Sequence, residues 1–289
     1  MILKSVQDNK RSSFFIVSLF IVIIMVGVYF VCYALDLGAL SIPIAVVGAI
    51  VPAIISYNNC DKIVLSLNGA RPATREQDLL LSTVMDNMCI ASGLPRPKLY
   101  VINDASPNAF ATGKNPENAV ICVTTGLLEK LDKYELEGVI AHELSHIKNY
   151  DILLSTIVSI FVGFVVILSD WFTRVAFRRS RNNDDKNPIF VIIGILFLIL
   201  SPIFATLMKL AISRKREFLA DASAIEMTRN PDGLISALQK IALDPDPLES
   251  ANKSTAHMYI SNPLKGKASD LFSTHPSTEK RIEALRHIN

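Results

Sequence analysis

Charge is scarce in this chain of 289 residues: 19% are Asp, Glu, Lys or Arg, while half are hydrophobic. Soluble domains carry roughly 25% charge, and the deficit argues against an ordinary cytosolic protein. Disorder is excluded too, because it needs low hydrophobicity and high net charge, whereas mean hydropathy here is +0.36. A net charge of +2 supplies no basic field, so no nucleic-acid partner is expected. Cysteine is equally sparse. Cys32, Cys60, Cys89 and Cys122 never fall at C-x-x-C spacing, which reads as reduced thiols rather than a disulfide framework or a thiolate metal site. The sequence has no internal repeat and no long low-complexity stretch.

What the chain has in excess is apolar sequence, and it is concentrated. Residues 14–35, 39–56, 152–169 and 189–208 form uncharged blocks of 22, 18, 18 and 20 residues. About 20 apolar residues in a helix cross the hydrocarbon core, so each block reads as a transmembrane helix. The first is longer than the core of a cleaved signal peptide and a second span follows at once, as in a retained anchor. Only Asp36, Leu37 and Gly38 separate these two, which makes a tight hairpin. The chain therefore divides into a tail (1–13), a first membrane hairpin (14–56) and a soluble part (57–151). A second hairpin, spanning or embedded (152–213), and a second soluble part (214–289) follow.

In the first soluble part, Thr74 with Gln77 has the capping-box pattern and opens a helix that Gly93 and Pro95 stop. Segments 98–103, 108–113 and 119–124 read as strands of a small sheet, with a turn at 114–118. Asp132 with Glu135 caps a second helix. In the second soluble part, 216–227 and 233–243 are helical by period, and a last amphipathic helix follows Pro276.

The helix opened by Asp132 carries Ala141-His142-Glu143-Leu144-Ser145-His146. This is H-E-x-x-H. Positions i and i+4 share a helix face, so two imidazoles can converge on one zinc ion. Glu143, turned about 100° around the axis, faces a water in the metal's open position and can accept its proton. Five His and eleven Glu placed at random would yield roughly 0.003 such matches in this length. A third ligand is required. His257, His275 and His287 are candidates, as is Glu217, which shares a helix face with Asp221. Glu217 could then ligate while Asp221 accepts the N–H of a ligating histidine. A solvated carboxylate pair beside Arg214, Lys215 and Arg216 fits the spacing equally well.

The combination of His142-Glu143-Leu144-Ser145-His146, Asn149-x-Asp151, a hydrophobic hairpin and Glu217-x-x-x-Asp221 resembles the HtpX family of membrane zinc metalloproteases. Pro107-Asn108-Ala109-Phe110-Ala111-Thr112-Gly113 is similar to that family's pre-catalytic stretch. Thr274-His275-Pro276 with Arg281-Ile282 is similar to its C-terminal signature. The likeness spans nearly the whole chain. It implies a mostly α protein: an α+β zincin-like catalytic domain with a small sheet, plus four transmembrane helices in two hairpins. It also implies one Zn2+ per chain on His142, His146 and Glu217, and an endopeptidase acting on unfolded membrane proteins in quality control. In such a reaction Glu143 moves the proton, and His275 or Arg281 is the candidate oxyanion donor. Asn108, on a candidate edge strand, could bond the substrate backbone.

Two other functions are compatible with the sequence. One is processing of a dedicated membrane substrate, as in the related CAAX prenyl proteases, although this chain is shorter. The other is a non-catalytic membrane scaffold or transporter. That would call for polar residues within the spans, and the four blocks carry no charge.

Topology follows from parity. His146 and Glu217 can meet at one ion only if the intervening chain crosses the bilayer twice or not at all. Two crossings put 171–188, with Arg174, Arg178, Arg179, Arg181 and Lys186, on the far side. The catalytic side holds more cations near span ends: Lys4, Lys10, Arg11, Lys62, Arg71, Lys148, Arg214, Lys215 and Arg216. The larger set faces the cytoplasm, which places the active site there, in a multi-pass protein of the cell membrane. In a cysteine-free background, Arg179→Cys should react with an impermeant thiol reagent from the outer face; labelling only from the cytoplasmic face would sink the four-span arrangement.

Overall fold

A computed structural model describes residues 2–34, 36–75, 78–164, 214–249, 254–263 and 276–287. The first apolar block lies in helix α1 (Ile2–Ala34) and the second in α2 (Ser41–Asn58). Asp36 and Gly38 between them take positive φ values of 55° and 54°, which turns the chain back on itself. Helix α1 begins at Ile2, so residues 2–13 run as one continuous helix with the apolar block. Phe14 is 76% exposed, Ile42 63% and Val47 59%. So large an apolar surface is stable only in a non-aqueous surround, and Val6–Phe30 and Gly38–Asn58 are long and apolar enough to span a bilayer.

Two of the four expected spans are thus present among the described residues. The third block opens in helix α7 (Asp151–Phe164), bent by 84° from the helix before it. Leu154, Val158 and Val162 of α7 are buried, in a cluster with Ile16, Val17 and Phe20 of α1. Phe20 stacks on Phe161 with ring centroids 3.9 Å apart. The rest of the second hairpin, including block 189–208, lies outside the described residues.

The soluble part is built on a four-stranded sheet of order β1-β2-β4-β3, comprising β1 (Arg71–Pro72), β2 (Lys98–Ile102), β3 (Ala109–Gly113) and β4 (Ala119–Thr124). β2 and β4 are parallel, and the other two pairs are antiparallel. Every residue of β4 is buried because the strand's two faces enter different cores. Ile121 and Val123 face the main core, while Val120 and Cys122 pack with Phe110, Val64 and Tyr259. Alternation along a strand produces this division directly. Helix α3 (Cys60–Leu67) packs on the second of these faces and helix α4 (Leu79–Ser92) on the first. The four cysteines are free thiols.

Helix α4 does not start where the Thr74–Gln77 pattern indicates. It begins after Asp78, whose carboxylate is taken by Arg71 at 3.2 Å and by the Thr74 amide at 3.1 Å. A cap pattern competes with other partners nearby, and here Asp78, held by Arg71 and the Thr74 amide, marks the helix start. Gly93 ends the helix in the left-handed conformation (φ 69°), as expected of a C-terminal glycine. Short helix α5 (Thr125–Lys130), capped by Thr124, has no clear sequence signal.

Helix α6 (Lys133–Lys148) runs through the centre of the domain, and its capping box is complete: Asp132 accepts from Tyr134 N and Glu135 N, and Glu135 accepts from Asp132 N. Helices α8 (Arg214–Thr228) and α9 (Pro231–Leu243) pack against it. At the α6–α9 crossing a Cβ on Gly138 would sit 2.8 Å from Leu234 N, and one on Gly233 would sit 2.6 Å from Tyr134 O. Only glycine lets the two backbones approach this closely. Helix α10 (Thr278–Arg286) closes the domain.

Glu135 also bonds across this crossing, accepting from Ser236 Oγ at 2.6 Å and Lys240 Nζ at 2.7 Å. Burial works against its charged form, but Lys240, Ser236 and the Asp132 amide outweigh it and hold the carboxyl below its ordinary range. A depressed folded-state pKa means that this stabilisation is present above the unfolded carboxylate pKa and is lost as pH falls through the folded value. Glu135→Gln should therefore cost about 1–2 kcal/mol at pH 7 in thermal unfolding in detergent, with the gap to wild type closing below about pH 4. A gap that widens in acid would contradict this account.

Candidate metal centre

One turn of α6 presents His142 and His146, with ring centroids 4.7 Å apart and planes nearly perpendicular. Their Nε2 atoms are separated by 3.2 Å. Glu217 reaches in from α8, with Oε1 3.5 Å from His146 Nε2 and Oε2 3.7 Å from His142 Nε2. One ligand atom from each residue lies within 4.8 Å of the other two. Ligands at the vertices of a tetrahedron around zinc, with bonds of about 2.0–2.2 Å, are separated by about 3.4 Å. The observed separations, 3.2 Å between the nitrogens and 3.5 and 3.7 Å to the two carboxylate oxygens, are close to that spacing.

The outer nitrogens explain why both Nε2 atoms can face inward as acceptors. Asp221 Oδ1 lies 2.9 Å from His142 Nδ1, and Asp151 Oδ2 lies 3.0 Å from His146 Nδ1. A carboxylate can only accept, so each Nδ1 carries a proton, and in the neutral ring each Nε2 presents a lone pair. Two lone pairs directed at each other 3.2 Å apart repel unless a cation lies between them. The centre attracts positive charge in another way as well: burial pulls His146 down, yet Asp151, Glu217 and Glu143 outweigh it and push its pKa up to about 9.

Arg281, from α10, is 2% exposed. Its Nε and NH2 groups donate to the two oxygens of Asp221 at 2.8 and 2.6 Å, and NH1 donates to Ile260 O at 2.9 Å. NH1 also lies 3.7 Å from Glu217 Oε2. Burial works against the Asp221 carboxylate, but Arg281 and His142 outweigh it and hold Asp221 well below the usual carboxylate range. Arg281 is thus enclosed behind His142, at odds with the expectation of an oxyanion donor or substrate contact. Glu143 is 2% exposed, and burial raises its pKa against the pull of the two histidines.

A cavity of about 30 Å³ adjoins these groups, bordered by Ala111, Glu143, Ser155, His257 and Tyr259. It has room for one or two waters. Ala111 belongs to β3, the sheet edge. Asn108 O accepts from Thr124 N, so by alternation residues 109, 111 and 113 turn their backbone groups outward. Ala109 O accepts from Ile260 N, and Gly113 N donates to Thr156 Oγ1. Ala111 stands between them. Asn108 itself is buried and bonds Ser261 through its side chain. His257 lines the cavity, His287 is exposed at the end of α10, and His275 lies outside the described residues.

Sequence reasoning missed three parts of the centre. Asp151 had a usable signal, a carboxylate just past the end of the His146 helix. Arg281 as the holder of Asp221 had none, and neither did Asn9, whose amide donates to Asp151 Oδ1 at 2.7 Å.

Two imidazoles one helical turn apart, a carboxylate from a second helix and a buried glutamate beside them define a metallopeptidase of the H-E-x-x-H class. The profile of peptidase family M48 matches residues 75–289. The protease HtpX homolog of Dictyoglomus thermophilum is 46% identical over 287 residues, covering 98% of this chain and 93% of that protein. That of Listeria monocytogenes serotype 4a is 44% identical over 306 residues, covering all of both chains. The chain belongs to peptidase family M48 and, within it, to the HtpX proteases, and it is a membrane metalloprotease. Among solved structures, S. mikatae Ste24p is similar at 20% identity and a TM-score of 0.49, covering 82% of this chain and 56% of that one.

Asp221→Ala should weaken metal affinity 10–100-fold through loss of the His142 partner, measured by competition with a chromogenic chelator. His142→Ala combined with His146→Ala should abolish stoichiometric metal binding. Wild-type affinity in either variant would refute the assignment.

Proposed function

We propose that this chain is a zinc-dependent endopeptidase of the cell membrane, with one Zn2+ held by His142, His146 and Glu217. The observation that carries this reading is the trio of donor atoms at tetrahedral spacing, with both imidazoles oriented by carboxylates. The bound ion would act as a Lewis acid on the scissile carbonyl and lower the pKa of a water.

The chain's own groups do the rest. Glu143, raised by burial and facing the same cavity, accepts the water's proton and delivers it to the leaving amine. Asp221 and Asp151 keep the imidazoles in the tautomer the site requires, and Arg281 holds Asp221 charged. The substrate binds as an extended strand, exchanging hydrogen bonds with the outward N–H and C=O of Ala111. Asn108 shapes that edge by gripping Ser261. His275, next to Pro276, is the proposed oxyanion donor.

The substrates are unfolded or damaged membrane proteins, and the site faces the cytoplasm. The first hairpin supports this by tying the catalytic domain to the bilayer, and the excess of cations on the catalytic side supports the orientation. Glu143→Gln in detergent-purified protein should retain stoichiometric zinc while cleavage of an unfolded membrane substrate falls by at least 100-fold. Cleavage at the wild-type rate would overturn the role of Glu143.

A further inference from the structure

Asn9 lies in α1, in the stretch ahead of the long apolar run, and is 2% exposed. It is a polar side chain on a helix that otherwise enters the membrane, and it is buried against the end of α6, about 140 residues away in sequence. Its Nδ2 donates to Asp151 Oδ1 at 2.7 Å and to Asn149 O at 2.9 Å. Asp151 uses its other oxygen, Oδ2, to hold His146 Nδ1. The chain of bonds is therefore continuous: Asn9 amide, Asp151 carboxylate, His146 imidazole.

The neighbouring contacts grip the same corner. Tyr150, between α6 and α7, has φ 59°, a conformation that costs a bulky residue energy and persists only where the surroundings hold it. Lys10 Nζ sits 4.0 Å from the centre of the Tyr150 ring. Further along α1, Ile16 and Phe20 pack on α7. The turn from α6 to α7 is thus held on one side by consecutive residues of the membrane helix. A carboxylate with two acceptor oxygens has rotational freedom unless both are engaged. Asn9, at 2.7 Å and aided by Arg216 Nε at 3.5 Å from the same Oδ1, removes that freedom for Asp151 and so fixes the ring plane of His146.

We propose that Asn9 is a positioning residue of the metal centre and that the first membrane helix thereby completes the site rather than only anchoring it. This rests on the reading of His142, His146 and Glu217 as metal ligands. In its consequence, displacement of α1 from the catalytic domain loosens the metal even though no ligand has changed.

The test uses the full-length protein in detergent, with Zn2+ as the probe in competition with a chromogenic chelator. Asn9→Ala should bind Zn2+ about tenfold more weakly than wild type, the lower end for an outer partner of a ligand. The visible spectrum of the Co2+-loaded variant should shift. In an Asp151→Asn background the same substitution should change affinity by less than about twofold, because its effect passes through Asp151. Asn9→Asp, which replaces the donor with an acceptor, should bind at least as weakly as Asn9→Ala, and adding Asp151→Asn should restore the donor–acceptor pair and recover affinity. Should Asn9→Ala fail to fold, recovery in this swapped pair supports the inference and its absence overturns it. Equal affinity and spectrum in wild type and Asn9→Ala overturn the inference while leaving the ligand assignment intact, as does the same loss in both backgrounds. A wild type that binds no zinc sinks the ligand assignment and the inference together.

Discussion

The fold of the soluble part is organised around two imidazoles whose Nε2 atoms are held 3.2 Å apart. Left alone they would turn away from each other or fill the gap with a proton. Asp221 and Asp151 prevent this by claiming the outer nitrogens. Neither carboxylate comes from α6. Asp221 is carried by α8 and Asp151 begins α7, so the site exists only when three helices meet. The capping box and the Glu135 bonds to α9 fix where α6 starts, and the Gly138–Gly233 crossing sets how deeply it lies. What positions the helix also positions the ligands.

Burying this much charge carries a cost. Asp221, Arg281, Glu217 and Glu143 are all at most 8% exposed. An ion pair withdrawn from water offsets its desolvation only when geometry is good and the remaining hydrogen-bond positions are filled. Arg281 meets that condition, with both oxygens of Asp221 and the Ile260 carbonyl as acceptors. The guanidinium fork matches a carboxylate in a way a lysine ammonium does not. Its place behind His142 also separates two jobs. Arg281 maintains the charge and orientation of Asp221, and the open side of the centre is left to the β3 edge, Glu143 and the segment around His257.

The membrane enters the same network. Helix α1 crosses from an apolar belt that suits lipid to a polar end that touches the Asp151 corner, and α7 leaves that corner to pack back along α1. Helices α1 and α7 share a core in which Ile16 and Phe20 meet Phe161. Among the described residues the uncharged blocks therefore fall into two kinds: residues facing lipid on α1 and α2, and residues of α7 buried against α1. Composition alone cannot separate these, since both are apolar and uncharged.

Local chemistry made much of this legible in advance. The H-E-x-x-H spacing, the Asp132–Glu135 capping box, the three main strands and the first hairpin each depend on residues within a few positions of one another, and short-range geometry determines them. Thr74 shows the limit of that logic: the helix starts after Asp78 instead, whose carboxylate is engaged by Arg71 seven residues before it and by the Thr74 amide. Glu217 and Asp221 were visible as a pair, but only the packing of α8 against α6 separates a ligand set from a solvated surface. Arg281 and Asn9 carry no local mark at all. Their roles arise from contacts spanning 60 and 142 residues. The sequence by itself determined which helix could hold a metal and that the chain enters a membrane, because periodicity and hydropathy act over single turns and single spans. The tertiary structure alone decided which carboxylates orient the histidines, because hydrogen bonds between distant segments exist only after the helices have packed.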